Sequence, residues 1–112
     1  RRGVVVGGDY QKVGESANSV AISNDGGKNW TLGRTMPSGF RSCVVAVPGT
    51  ATLIAVGPNG SDYSLDLGNT WTQVDTTGFH AVSFAGKNSG WAVGEAGGIS
   101  KFNWNVSAGT MK

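Results

Sequence analysis

An eight-residue pattern occurs twice in the chain and limits its fold more than any other feature. Residues 23–30 (Ser-Asn-Asp-Gly-Gly-Lys-Asn-Trp) and residues 64–71 (Ser-Leu-Asp-Leu-Gly-Asn-Thr-Trp) both read Ser-x-Asp-x-Gly-x-x-Trp, 41 residues apart. Short strands and turns that repeat at about this spacing are typical of β-propeller blades. The repeat therefore predicts an all-β fold whose blades are sheets of four antiparallel strands.

The glycine content agrees with a chain of short strands and tight turns. The chain has 19 glycines in 112 residues, well above the usual share of roughly 7%. Glycine readily adopts the positive φ angles that many tight turns require. Charged residues make up only 14% of the chain. The composition therefore favours a turn-rich β protein over a helical one.

Charge and cysteine content argue against several classes of function. The net charge of +2 is too small to favour a nucleic-acid partner, and no apolar run approaches the roughly 18 residues of a membrane helix. Cys43 is the single cysteine, so we predict neither a disulfide within the chain nor a cysteine metal site. Cys43 lies in an apolar segment and is expected to be a small buried side chain. We predict no metal site and no cofactor.

Three copies of a longer unit align around the two octets. Residues 39–44 match residues 78–83, residues 54–57 match residues 91–94, and residues 4–7 are a third version of this second element. Together they predict one partial propeller. It comprises an incomplete blade over about residues 1–36, a complete blade over 37–76 and an incomplete blade over 77–112.

The strand count differs between the three units. The middle unit predicts four strands, at about residues 41–47, 52–56, 62–65 and 70–74. The first unit lacks a counterpart of the first strand. The third unit lacks an octet, and residues 105–112 read as a tail rather than as a fourth strand. The expected counts are therefore three, four and three.

The residue types of the octet suit a self-contained hairpin. The aspartate accepts hydrogen bonds from N–H groups of its own turn, and the serine adds a hydroxyl bond. The glycine takes a positive φ, and the tryptophan folds back as an apolar plug. The expected structural residues are Ser23, Asp25, Gly27, Trp30, Ser64, Asp66, Gly68 and Trp71. Outside the octets, Trp91 and Trp104 are expected in the blade core.

The two octets resemble the Asp box, the sialidase-type or BNR repeat of many β-propellers. Three further segments make nearly the whole chain similar to a bacterial group of propellers related to photosystem II stability and assembly factors. They are Val6-Gly7-Gly8-Asp9-Tyr10, Ser38-Gly39-Phe40-Arg41-Ser42 and Gly90-Trp91-Ala92-Val93-Gly94. The resemblance implies a propeller and favours a secreted or periplasmic location, although the sequence itself leaves the compartment open. It does not separate enzymes from non-enzymes, because the repeat occurs in both.

The number of blades indicates an incomplete ring. A closed propeller has about four to eight blades, and this chain provides about two and a half. It looks like the C-terminal part of a larger ring. Unpaired strand edges invite pairing with further strands. The expected partners are the remainder of a ring, other copies of this chain, or another protein.

The candidate binding residues lie on the face opposite the octets, where the resemblance implies that propeller ligands bind. The alignment places Arg41 and His80 at equivalent positions, each at the start of an innermost strand. They are expected to donate to an anionic or polar partner, to cap backbone carbonyls, or simply to be solvated at the rim. The other rim candidates are Asp9, Tyr10 and Lys12 in a long polar loop and Asn59 and Glu95 in turns.

Two functions remain open from the sequence: a non-enzymatic binding or scaffold module, and a fragment of a sialidase-like glycoside hydrolase. Sialidase chemistry needs an arginine cluster, a Tyr–Glu pair and an acidic residue. The chain has four arginines, two of them at residues 1 and 2, and the spacing of Tyr63 and Glu95 does not require them to pair. We therefore assign no catalytic residue and favour the binding module.

Overall fold

The computed structural model describes residues 2–8, 11–12, 14–15, 17–86, 89–94, 97–102, 104–105 and 110–111. These residues form three antiparallel sheets and one short two-stranded ladder, none of them closed into a barrel. They contain no α-helix. The predicted all-β class is confirmed, and the open sheets agree with a partial propeller.

The three sheets follow one another along the chain. The first sheet contains β1 (Gly3–Val6), β2 (Val20–Ser23) and β3 (Thr31–Leu32). The middle sheet contains β4 (Cys43–Ala46), β5 (Leu53–Gly57), β6 (Gly60–Ser64) and β7 (Thr72–Asp75). The third sheet contains β8 (Ala81–Gly86), β9 (Ser89–Val93) and β10 (Ile99–Phe102). Their strand counts of three, four and three are those expected from the sequence.

The C-terminal segment differs from the expected tail. β11 (Trp104–Asn105) pairs with β12 (Thr110–Met111) in a ladder separate from the third sheet. The third sheet itself ends at β10. An outer strand equivalent to β7 is therefore absent from it among the described residues, as the missing octet predicts.

The middle sheet is packed on both faces, because the side chains of β5 alternate between its two neighbours. Leu53 and Ala55 belong to an apolar cluster shared with Val20 of the first sheet. Ile54 and Val56 belong to a second cluster that contains residues of the third sheet, among them Val82 and Ala92. Buried apolar side chains on both faces explain why β5 reads as a continuous apolar run rather than an alternating one.

Backbone hydrogen bonds also join successive sheets. The N–H of Arg41 donates to the carbonyl of Gly7, which directly follows β1 of the first sheet, at 3.0 Å, and the N–H of Phe79 donates to that of Gly57 in the middle sheet at 2.9 Å. A Cβ at Gly57 would collide with the carbonyl of Phe40, so the close approach of the segment before β4 to the end of β5 requires glycine. β4 begins at Cys43 rather than at Arg41 because the Arg41 N–H is directed to another sheet.

Strand register corrects the alignment of Arg41 with His80. Cys43 pairs with Val56 in the middle sheet, and Ala81 pairs with Val93 in the third. The residues just before these pairs are Ser42 and His80, whose N–H groups donate to the same two partners. His80 therefore corresponds to Ser42, and Arg41 to Phe79. The sequence alignment was wrong by one residue because it matched Gly39-Phe40 with Gly78-Phe79. The structurally equivalent residues are instead those that pair with the same positions of β5 and β9.

Candidate functional site

The first octet forms a turn in which its own side chains bind its backbone. Ser23 Oγ donates to Asp25 Oδ1 at 2.9 Å and accepts from the N–H of Gly27 at 2.8 Å. The Asp25 carboxylate accepts from the backbone N–H of Asn29 at 2.9 Å and from its side-chain amide at 2.7 Å. Trp30 Nε1 donates to the carbonyl of Gly27 at 3.0 Å. These contacts hold the turn without a ligand.

The second octet repeats these contacts nearly atom for atom. Ser64 Oγ donates to Asp66 Oδ1 at 2.8 Å and accepts from the N–H of Gly68 at 2.8 Å. Asp66 accepts from the N–H of Thr70 at 2.8 Å and from its hydroxyl at 2.7 Å. Trp71 Nε1 donates to the carbonyl of Gly68 at 2.8 Å. A threonine hydroxyl thus replaces the asparagine amide of the first turn.

The backbone of both turns passes through the left-handed region. Gly27 and Gly68 have φ angles of 94° and 96°, which glycine adopts without steric cost. The preceding position is also left-handed, with Gly26 at 76° and Leu67 at 60°. For a leucine this conformation costs about 1–2 kcal/mol. Leu67 is half-buried and lines an apolar groove between β1 and β4.

The hydrogen bonds in each turn favour the ionised aspartate. In the first turn, bonds from the side chain and backbone of Asn29 and from Ser23 lower the pKa of Asp25 from 3.8 to about 2. In the second turn, desolvation raises the pKa of Asp66, but bonds from Thr70 and Ser64 outweigh it and leave a net lowering. Both carboxylates therefore act as permanent acceptors at neutral pH.

Arg41, a predicted rim donor, lies in the interior of the protein. Its side chain is buried, and Nε and Nη2 both donate to Asp62 Oδ1, at 2.8 and 2.6 Å. Nη1 donates to the carbonyl of Phe40 at 2.8 Å and to Asn59 Oδ1 at 2.6 Å. Asp62 also accepts from the N–H of Ser38 at 3.0 Å. The contact with Phe40 is the carbonyl-capping role that the sequence left open.

The third sheet replaces this ion pair by apolar packing. Register places Phe79 at the position of Arg41 and Ser100 at that of Asp62. Phe79 is buried in the cluster between the middle and third sheets. A buried arginine in the middle sheet and a buried aromatic side chain in the third sheet occupy the same place, so this position contributes to the interior in both sheets.

The remaining rim candidates are scattered. Asn59 joins the Arg41 network as an acceptor. His80 is exposed and lines a small polar cavity with Pro58 and Gly78. Lys12 is exposed on the loop after β1. Asp9, Tyr10 and Glu95 lie outside the described residues.

Metal-ligating side chains do not cluster in the part of the chain that the structure describes. No group of three or more His, Cys, Asp or Glu side chains stands close enough there to hold a metal ion. The donors of Arg41 are occupied by Asp62, Phe40 and Asn59, so this side chain is not available for a substrate carboxylate. Among the same residues, no helix has the length and apolar character needed to cross a membrane.

An apolar groove lies beside β1, on the side where the described residues provide no further strand to the first sheet. The inner positions of the middle and third sheets are taken by β4 and β8, but β1 forms the edge of the first sheet. The groove is lined by Gly3 and Val4 of β1, by Val44 to Ala46 of β4, and by Arg2, Leu53 and Leu67. It therefore combines a strand edge with apolar walls.

The sequence did not identify Asp62 or Ser38 as partners of Arg41. Asp62 lies 21 residues from Arg41 along the chain, and its register counterparts are Ala21 and Ser100, so no repeat marks it. The available signal was a charged residue at the start of the strand predicted at about residues 62–65, since a charge that becomes buried in a sheet is expensive unless it is paired.

Comparisons with protein-family models, with curated proteins and with solved structures found no match to this chain.

Proposed function

We propose that the chain is a non-enzymatic β-propeller-type binding or scaffold module that binds a polypeptide partner by taking up an extended strand beside β1. The unpaired edge of β1 next to an apolar groove is the observation that carries this proposal. A strand that joins an open sheet edge gains affinity from main-chain hydrogen bonds and specificity from side-chain pockets. The partner is then the remainder of a ring or another protein, as an assembly-factor-like role would require.

The backbone of β1 offers donors and acceptors to such a strand. The N–H of Gly7 donates to the carbonyl of Ser19, which continues the ladder with β2. Ladder bonds alternate in direction along an antiparallel strand. The N–H and C=O groups of Val4 and Val6 therefore point to the opposite side, and β1 pairs only with β2 among the described residues.

The inner strands of the other two sheets indicate what such a partner strand looks like. β4 has the sequence Cys-Val-Val-Ala and contributes Val44 to the cluster on one face and Val45 to the cluster on the other. A strand with apolar side chains on both faces fits the same position in the first sheet. The predicted ligand is a short extended peptide of this apolar, β-branched type.

A peptide-binding measurement tests the proposal. The probe is a peptide that copies residues 41–48 with serine in place of the cysteine, titrated against the intact chain by calorimetry. We expect saturable binding. A peptide with the same side chains but N-methylated at alternate backbone positions should bind at least about tenfold more weakly, since it cannot complete the ladder.

A matched pair of variants locates the binding to the groove. Ala46 is exposed and lines the groove, whereas Ala51 is exposed in the turn after β4 and does not line it. Ala46→Lys should weaken peptide binding, and Ala51→Lys should leave it unchanged. Equal binding of the two peptides, or equal binding by the two variants, would show that strand addition at β1 is not the mode of recognition.

A further inference from the structure

The three sheets pack in the same sense, which defines two kinds of face. We call the face of a sheet turned toward the next sheet along the chain its front, and the opposite face its rear. The front of the first sheet, with Val4 and Val6, packs against the rear of the middle sheet, with Ala55. The front of the middle sheet, with Ile54 and Val56, packs against the rear of the third. One type of front-to-rear contact thus occurs twice.

The front of the third sheet is exposed although it is apolar. Trp91 and Val93 of β9 and Ile99 of β10 have 51, 45 and 67% of their surfaces accessible. Ile99 lies directly opposite Val93 in the ladder, and Lys101 lies opposite Trp91. Lys101 Nζ stands 5.7 Å from the centre of the Trp91 ring, so the lysine partly covers this face while keeping its charge in water.

The rear of the first sheet is exposed in the same way. Val5 is 50% and Leu32 56% accessible, and both pair with Ala21 of β2, which places the three on one face. The indole of Trp30 lies on the same face, because Gly3 and Val5 share a face of β1 and a Cβ at Gly3 would lie 3.3 Å from the indole.

Register shows that these two exposed faces are the two halves of the contact already present twice. Trp91 and Val93 occupy the positions that Ile54 and Val56 hold in the middle sheet. Val5 occupies the position of Ala55. The exposed front of the third sheet is therefore equivalent to the front of the middle sheet, which packs against a rear. The exposed rear of the first sheet is equivalent to the rear of the middle sheet, which packs against a front.

We propose that the front of the third sheet binds the rear of the first sheet of a second copy of this chain. A heterologous contact of this kind generates a closed ring when its rotation closes. Two copies supply six sheets, and closed propellers have about four to eight blades. Both surfaces are on one chain and repeat its internal contacts, so a second copy is the occupant that they fit. The proposal depends on the sheet faces and is independent of strand addition at β1.

Solution mass gives the first test. Light scattering of the intact chain is expected to give about twice the 11.5 kDa of one chain. Val93→Lys on the front and Leu32→Lys on the rear should each weaken the dimer by at least about tenfold, because a lysine in an apolar contact loses hydration. Leu65 is 57% accessible on an octet turn and lies on neither face, so Leu65→Lys is the matched control and should stay dimeric.

Mixing the variants tests the polarity of the contact. Each single variant retains one intact face, so an equimolar mixture of Val93→Lys and Leu32→Lys should give a mixed dimer that neither forms alone. Ile99→Lys and Val5→Lys repeat the experiment at other positions, and circular dichroism confirms that each variant is folded.

Three results would overturn the proposal. The first is a folded wild-type monomer at about 1 mM, which would assign both faces to a different polypeptide. The second is a dimer lost in Val93→Lys but retained in Leu32→Lys, which indicates a front-to-front contact. The third is a mixture that remains monomeric. None of these results bears on peptide binding at β1, which is measured separately.

Discussion

The two octet turns have the same hydrogen bonds but different surroundings. Trp30 keeps 44% of its surface accessible, whereas Trp71 keeps 8%. In each turn the indole N–H bonds to the glycine of its own octet. The difference in exposure therefore arises outside the octet, from the residues that cover the outer side of the indole.

The second turn is covered by the preceding sheet. The N–H groups of Arg34 and Thr35 donate to the carbonyl of Asn69, at 2.7 and 3.0 Å, and the N–H of Trp71 donates to Thr35 Oγ1 at 2.8 Å. The Trp71 ring belongs to the cluster between the first and middle sheets. The first turn has no sheet before it among the described residues. The octet thus determines the turn, and the neighbouring sheet determines how much the turn contributes to the core.

Truncation of the tryptophans gives the largest expected difference between the two turns. Trp71→Ala should lower the free energy of unfolding by about 3–5 kcal/mol, because it removes a buried aromatic side chain. Trp30→Ala should cost less than about 1.5 kcal/mol. Chemical denaturation measures both, at a concentration low enough to exclude association. Equal losses of unfolding free energy would mean that the turn itself, and not the contact with a neighbouring sheet, determines how much each tryptophan contributes to stability.

The serines give the next largest difference. Ser64→Ala leaves the buried N–H of Gly68 without its acceptor and should cost about 1–3 kcal/mol. Ser23→Ala exposes the partly buried N–H of Gly27 to water and should cost about 0.5–1.5 kcal/mol. Urea midpoints of the two variants make the comparison. A larger loss for Ser23→Ala would show that burial of the donating glycine N–H does not set the cost.

Removal of the contact between sheets should make the second turn more like the first. Thr35→Val deletes the acceptor of the Trp71 N–H while keeping the side-chain shape, at an expected cost of about 1 kcal/mol. Amide hydrogen exchange at Trp71 should accelerate, while exchange at Asn29 should not. Thr31→Val, at an exposed position of β3, is the matched control and should leave exchange at Trp71 unchanged.

Acid should give the smallest of these effects, and it should destabilise both turns. Since the folded pKa of Asp25 lies near 2, below its ordinary 3.8, its stabilising effect is complete above about pH 4 and is lost as the pH falls toward 2. The lowered pKa of Asp66 gives the same sign. The amide resonance of Asn29 should titrate with a midpoint near pH 2, and it should not titrate in Asp25→Asn. A midpoint near 4 would show that the turn does not favour the ionised form.

Features encoded within a few residues were predictable from the sequence, and those that depend on distant partners were not. The contacts of Asp25 lie within its own octet, so residue types alone indicated them. Arg41 was expected at the rim because its partner Asp62 lies in another strand. Trp91 was expected in the blade core, but its face has no neighbouring sheet among the described residues.

Packing on both faces has a consequence for how the molecule opens. In stacked repeat structures, each unit gains stability mainly from its nearest neighbours, and unfolding starts where a unit has only one. Of the three sheets described, the middle sheet alone has two neighbours. In a single copy of the chain, local opening should therefore begin in the first or third sheet and reach the amides of β5 last, so the most slowly exchanging protons lie at its sequence centre.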